Sequence, residues 1–333
     1  PDEVAAVSVL LKNGYPGEEI RHLKKKFRTF YTCYKHEAES AKEGIEWNKT
    51  FDWHRKTVET LGIGMISKGT KKMYPLLLKE IACPPQFLFV RGNHEILNSS
   101  LCIAVVGTRK ISEYGERILR EIIPPLVKAG AMIVSGLAFG IDGKAHEITL
   151  QHGGKCIAVF GCGVNEIYPK EHRGLAQKIL ETGGTLVSEL PIAESPRIHH
   201  FPARNRIISG LSKATIIIEA KKKSGSLITA KFALEQNRDV FAVPGNIFSE
   251  NAEGTNHLIL EGAIPLVSKE EMLAHLNLSS APVSEKPAPL SFDSKEEELL
   301  FEALREPRSI DELKNSLPFD LPVISQFLSL LDL

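Results

Sequence analysis

The sequence has no surplus of either charge: Lys plus Arg and Asp plus Glu number 41 each, for a formal net charge of zero. No bulk polybasic field drives the choice of partner, so any affinity for nucleic acid has to be local. Cysteine is sparse. The five residues (Cys33, Cys83, Cys102, Cys156, Cys162) are odd in number and form no C-x-x-C pair. That pattern excludes a disulfide framework and a zinc knuckle and reads as reduced, mostly buried thiols. Long apolar runs are missing too: the stretch around Ile216-Ile217-Ile218 falls far below the roughly 20 residues that span a bilayer, and no membrane span is expected. No charged segment followed by an apolar one opens the chain, which makes the cytoplasm the expected location, and Pro1 in place of Met reads as a trimmed start. H-E-x-x-H, P-loop and G-x-S-x-G motifs are lacking, so metalloprotease, ATPase and serine hydrolase chemistry have no residues to stand on.

What is present is a chain of 333 residues, 43% apolar and 25% charged, long enough for two or three domains. Residues 1–70 lack strand alternation and carry a basic helical stretch, Arg21 to Arg28, with five bases and no acid. A small helical domain is expected there; Gly62 and Gly64 suit either simple helix packing or a helix-hairpin-helix motif. Residues 71–278 read as the second domain. Between 100 and 268, short apolar segments alternate with helical periods, the pattern of a parallel sheet covered on both faces. Strands are predicted over Cys102 to Val106, Ala131 to Ser135, Lys155 to Phe160, Thr185 to Glu189, Thr215 to Glu219, Asp239 to Val243 and Ile264 to Val267. Helices are predicted over Glu113 to Ala129, Asp142 to His152, Lys170 to Thr182 and Ser226 to Asn237. The fold class is α/β, an extended Rossmann-like, doubly wound and mostly parallel sheet. Residues 279–293 form a proline-rich linker. Residues 294–333 carry three amphipathic segments, a partial winged-helix-like module. From Glu285 to Leu333 there are 11 acids against 5 bases, a poor surface for gripping phosphates.

In doubly wound sheets ligands sit at the carboxyl ends of the strands. The first such loop, Gly107-Thr108-Arg109 before Ser112, combines a turn that lets backbone N–H groups approach an anion with a guanidinium of bidentate reach. The second, Ser135-Gly136 to Asp142, places Asp142 and His146 four residues apart. A capping acid with a packed histidine is the favoured reading there, a metal site or acid–base pair the alternative. Phe160-Gly161-Cys162-Gly163 lacks the third glycine of a dinucleotide fingerprint, which argues against nicotinamide and flavin, and Lys170 adds a cation to the same rim. The densest signal runs from Ser195 to Lys231, with eight bases against the single acid Glu219. There Phe201, Arg204, Asn205 and Arg206 suit stacking of a base between paired phosphates, with both arginines expected just before an apolar helix. Ser224-Gly225-Ser226 leaves room for a phosphate or sugar at the next helix start.

Taken together, Val106-Gly107-Thr108-Arg109, Ser135 to Asp142, Phe201-Pro202-Ala203-Arg204-Asn205-Arg206, Ser224 to Ala230 and Val243-Pro244-Gly245 resemble the DNA-processing protein A (DprA/Smf) family, over a span from Tyr74-Pro75 to Gly262-Ala263. The resemblance implies a non-enzymatic protein that binds single-stranded DNA, protects it during natural transformation, and helps load the recombinase RecA against single-strand-binding protein. It also implies a homodimer formed through the Rossmann domain and an N-terminal domain like sterile-alpha-motif or helix-hairpin-helix modules. By motif position it assigns DNA contacts to Gly107, Arg109, Ser112, Lys170, Phe201, Arg204 and Arg206. Thr108, Gly136, Asn205, Ser224, Gly225 and Ser226 complete the expected DNA site, with no cofactor and no metal. The alternative is a nucleoside-monophosphate phosphoribohydrolase, but its P-G-G-x-G-T-x-x-E loop is replaced here by Ser224 to Ala230.

Overall fold

Each of the seven apolar segments predicted as strands forms one, and two more strands extend the sheet at one edge. The computed structural model describes residues 1–41, 44–70, 73–278, 310–320 and 322–324, with positions 299 and 303. Four helices open the chain: α1 (Asp2–Lys12), α2 (Gly17–Phe27), α3 (Phe30–Ser40) and α4 (Gly44–Leu61). They are followed by β1 (Gly64–Ser67), α5 (Leu76–Lys79) and β2 (Phe87–Gly92). The alternating part runs β3 (Cys102–Val106), α6 (Glu113–Lys128), β4 (Met132–Ser135), α7 (Ile141–Gln151), β5 (Cys156–Val159), α8 (Arg173–Glu181) and β6 (Thr185–Ser188). It continues with α9 (His200–Gly210), β7 (Ala214–Ile217), α10 (Gly225–Glu235), β8 (Asp239–Ala242), α11 (Glu253–Leu260), β9 (Ile264–Pro265) and α12 (Lys269–His275).

Among the described residues nine strands form one sheet in the order β1-β2-β6-β5-β4-β3-β7-β8-β9. All neighbours from β6 to β9 are parallel, while β1–β2 and β2–β6 are antiparallel. From β3 the chain winds outward through β4, β5 and β6, then crosses back to β7 and winds the other way. The order therefore reverses between β3 and β7. Such a switch point diverges the flanking loops and opens a crevice beyond the strand ends.

Strand side chains alternate between two cores. Ile103 and Val105 of β3 pack with Leu119 and Ile123 of α6 and Ile148 of α7. Cys102, Ala104 and Val106 face the other way, against Ile207 and Ile208 of α9 and Ala230 and Ala233 of α10. Burying both faces is why these strands read as unbroken apolar runs, each large side chain contributing about 1.5–3 kcal/mol.

The first helices share a core with the sheet: Leu10, Ile20, Phe30 and Phe51 pack in one cluster with Phe87 and Phe89 of β2 and Leu186 of β6. The start of α3 is fixed twice over, by the Thr29 capping box and by Glu3, whose carboxylate accepts from the N–H groups of Phe30 and Tyr31 at 3.0 Å each. Two expectations change here. Gly64 opens a strand rather than a second helix, so the Gly62–Gly64 pair is no helix-hairpin-helix, and residues 64–67 belong to the sheet. Further, α9 begins at His200, so Phe201 to Arg206 lie within the helix instead of ahead of it.

Close contacts gather Pro1–Ser279 into one unit and Ser280–Leu333 into another. In the second, a helix over Ile310–Ser316 buries Leu313 with Ile324; the linker and the outer two amphipathic segments lie largely outside the described residues. Among those residues no helix is long and apolar enough to cross a membrane.

Candidate nucleic-acid interface

At the switch point the loops after β3, β4 and β7 and the first turns of α9 enclose a crevice of about 510 Å³. The β3 loop is held rigidly. Thr108 N–H donates to the Glu219 carbonyl at 2.8 Å, the Thr108 carbonyl accepts from Ile141 N–H at 3.1 Å, and Thr108 Oγ1 accepts from Lys110 N–H at 3.2 Å. A Cβ at Gly107 would stand 2.6 Å from Ile141 and 2.9 Å from the Glu219 carbonyl, so only glycine allows this closeness between the β3 and β7 ends. The clamp leaves Arg109 exposed over the crevice, with no ion pair among the described residues. Its guanidinium carbon lies 5.9 Å from the Phe201 ring centroid, and the Tyr168 ring lies 5.5 Å from that of Phe201. A cation and two aromatic faces thus border the same opening.

Opposite stands the start of α10, where the Ser224 side chain accepts from Ser226 N–H as N-cap and the two hydroxyls lie 2.8 Å apart. Gly225, with open space where a Cβ would be, exposes the first turn to the crevice. An 11-residue helix starting here, with Lys221 and Lys223 on its approach, is a favourable site for an anion. Asn205 ties the two sides together, its Nδ2 donating to the Gly225 carbonyl at 3.2 Å and its Oδ1 accepting from Arg204 Nε at 3.2 Å.

The remaining predicted residues divide. Arg204 lines the crevice floor but is 5% exposed, and its Nη1 donates to the carbonyls of Gly136, at 3.1 Å, and Val159. Asp142, buried beside it, accepts from Gly136 N–H at 3.0 Å. Burial pulls the Arg204 pKa down to about 10, which leaves it charged at neutral pH, with Asp142 countering. Arg204 and Gly136 are therefore mutually committed: a Cβ at Gly136 would sit 2.4 Å from the guanidinium. This arginine joins the ends of β4 and β5, where a direct phosphate contact was expected of it. Arg206 faces away from the crevice, bridged to Glu189 at 2.5 Å, and lines a different cavity with Gly17 and Gln86. Ser112 caps α6, gives its hydroxyl and N–H to the Glu219 carboxylate, and lines a third cavity next door. Lys170 is exposed two residues past Tyr168 and does not line the crevice. Gly107, Thr108, Arg109, Phe201, Asn205, Ser224, Gly225 and Ser226 do come together. Tyr168, Ile198, Lys221 and Lys223 join them without having been singled out for the site; the Tyr-Pro step before Lys170 and the lysine run after β7 carried that signal.

The family match takes in nearly the whole sheet and the helix after it. The family model for DNA recombination-mediator protein A covers residues 65–277. The chain belongs to this family. Protein Smf of Escherichia coli (strain K12) is 49% identical over 205 residues, 62% of this chain and 54% of that protein, so the chain spans about half the length of that relative. The X-ray structure of DNA processing protein A (DprA) from Streptococcus pneumoniae superposes with a TM-score of 0.65 at 33% identity, covering 80% of this chain and 96% of that one. A structure concerned with the single-stranded DNA binding mode of DNA processing protein A from Helicobacter pylori gives a TM-score of 0.59 at 29% identity, covering 65% of this chain and 95% of that one.

His146 and Cys162 are both packed into the core. His146 is buried with neither ring nitrogen hydrogen-bonded, and burial lowers its pKa to about 3, so it is a neutral packed ring. No group of three His, Cys, Asp or Glu suited to a metal ion occurs among the described residues. Cys162 is buried and its thiol pushed up to about 12 by burial, far from a reactive thiolate.

Proposed function

We propose that the chain binds single-stranded DNA along the carboxyl edge of its sheet. Arg109, Lys221, Lys223 and the α10 N-terminus meet phosphates, and Phe201 with Tyr168 stacks on bases. The observation that carries this reading is the convergence of a guanidinium with no ion pair among the described residues, two lysines and two ring faces on one crevice. An unpaired strand can thread such an opening and present its base faces, whereas a stacked duplex hides them. The single-strand binding mode named for the Helicobacter pylori relative supports the same substrate.

On this reading the protein acts in the cytoplasm as a non-enzymatic mediator. It protects incoming single strands in natural transformation and hands them to RecA in the presence of single-strand-binding protein. It works as a homodimer through the Rossmann domain; among the described residues β9 ends the sheet, with Leu260 84% and Val267 61% exposed beside it.

The test is a gel-shift comparison of an unstructured oligonucleotide with the corresponding duplex, run across salt. Preferential binding of the single strand, weakening steeply with salt, is expected; equal or no binding of the two rejects the reading. Among the described residues lining the crevice, the phosphoribohydrolase alternative finds a single acid, Asp142, and that carboxylate is committed to Gly136 and Arg204. Incubation with AMP should accordingly release no ribose 5-phosphate.

A further inference from the structure

Beside the crevice, on its β8 side, the loop of residues 244–252 presents Ile247 at 78% and Phe248 at 90% exposure. Singly exposed apolar residues are ordinary; two adjacent ones on a loop tied down along its length are not. Phe248 N–H donates to Asn246 Oδ1 at 2.9 Å, and the Asn256 side chain holds Gly245 through both its N–H and its carbonyl, at 3.1 and 3.0 Å. Tyr114 donates its hydroxyl to the Pro244 carbonyl at 2.8 Å.

The same loop is latched to both cationic walls of the crevice. Asn251 Nδ2 donates to the Lys110 carbonyl at 3.2 Å, the Asn251 carbonyl accepts from Ala220 N–H at 2.7 Å, and Glu250 pairs with Lys221. Behind the loop lies a cavity of about 370 Å³ walled by Tyr114, Glu219, Asn246, Ser249 and Asn251. Among the described residues, Asn246 Nδ2 and Asn251 Oδ1 have no hydrogen-bond partner, which leaves one neutral donor and one neutral acceptor there. A nucleobase edge offers the complementary pair.

We propose that this loop and cavity form a second nucleobase subsite. A strand leaving the crevice over Arg109 and Lys110 stacks a base on Phe248 and turns its edge to Asn246 and Asn251. The proposal rests on single-strand binding at the crevice and extends the path across β7 and β8.

Equilibrium anisotropy with the unaltered chain, Phe248→Ala and Phe248→Trp tests it, using oligonucleotides of about 6 and about 30 nucleotides. Phe248→Ala should bind the long oligonucleotide about tenfold more weakly with an unchanged salt slope, and the short one as before. The indole of Phe248→Trp should be quenched by the long oligonucleotide but by neither the short one nor deoxyadenosine monophosphate, relative to the unaltered chain. Identical isotherms for Phe248→Ala on the long oligonucleotide, or no added quenching, overturn the subsite while leaving the crevice intact. Quenching by the free nucleotide alone overturns the continuous path. Failure of the unaltered chain to bind any oligonucleotide overturns the single-strand reading and the subsite together.

Discussion

Two stretches of the sequence are conspicuously basic, the end of α2 and the segment from Ser195 to Lys231, and the structure uses them in opposite ways. At the end of α2, Lys24, Lys25, Lys26 and the C-cap Arg28 are all exposed, with no ion pair among the described residues. Lys24 lies 4.3 Å from the Phe30 ring and Lys26 5.1 Å from that of Phe27, so these cations complement a helix C-terminus and cover nearby rings. In the second stretch most cations are spoken for. Arg197 pairs with Glu194, Arg206 with Glu189, Lys221 with Glu250 and Lys231 with Glu235. Lys213 reaches the Leu276 carbonyl, and Arg204 is buried. Yet only the second region builds a crevice, because Lys221 and Lys223 near its end meet Arg109 from a loop more than a hundred residues earlier. Convergence at the switch point, and not the density of charge along the chain, separates an anion site from a solvated face.

The largest effect that would sharpen this contrast belongs to the buried arginine. Arg204→Met should lower stability by about 3–5 kcal/mol, because Asp142 is left buried without its partner, and urea unfolding followed by circular dichroism measures it. A surface role for Arg204 would instead leave the unfolding midpoint in place.

Acid should weaken the fold as a whole, since His54 of α4 and His146 of α7 are buried with no hydrogen-bond partner for either ring among the described residues. Burial lowers His54 to about 4 and His146 to about 3, both below the unfolded value near 6.5. The unfolded chain therefore binds more protons. Stability present above about pH 6.5 is lost as pH falls toward the folded values, by up to about 1.4 kcal/mol per pH unit for each ring. Unfolding midpoints between pH 7 and 4.5 should fall, and His54→Leu should flatten that fall by about half.

At the crevice, Phe201→Ala should cost about 1–3 kcal/mol of single-strand binding without altering its salt slope. The smallest effect is expected on α2. Lys24→Gln, Lys25→Gln and Lys26→Gln combined should change single-strand affinity less than about twofold in the same titration, as for solvated surface charges. A larger loss would break the contrast between the two regions.

The parallel part of the fold was legible because strands buried on both faces are apolar throughout, and helix starts such as that at Ser112 could be read from the sequence. β1 and β2 escaped because they are antiparallel additions at the sheet edge, outside the strand–helix alternation and adjoining helices with which they share a core. The start of α9 was signalled by Pro202, which suits a first helical turn, but the basic residues after it drew the reading toward a loop. For the site, Gly107, Arg109, Phe201 and Ser224 were legible from strand-end chemistry. The fates of Arg204 and Arg206 were not, since one residue of helical rotation decides whether a guanidinium faces a crevice, the core or a neighbouring acid, and Glu189 and Asp142 are distant in sequence.

The most direct test of convergence is the salt dependence of single-strand binding in Arg109→Ala against the unaltered chain. Removal of one phosphate contact should weaken binding and reduce the slope of log K against log salt by about 0.7. A folded Arg109→Ala protein with the original affinity and slope would contradict the account.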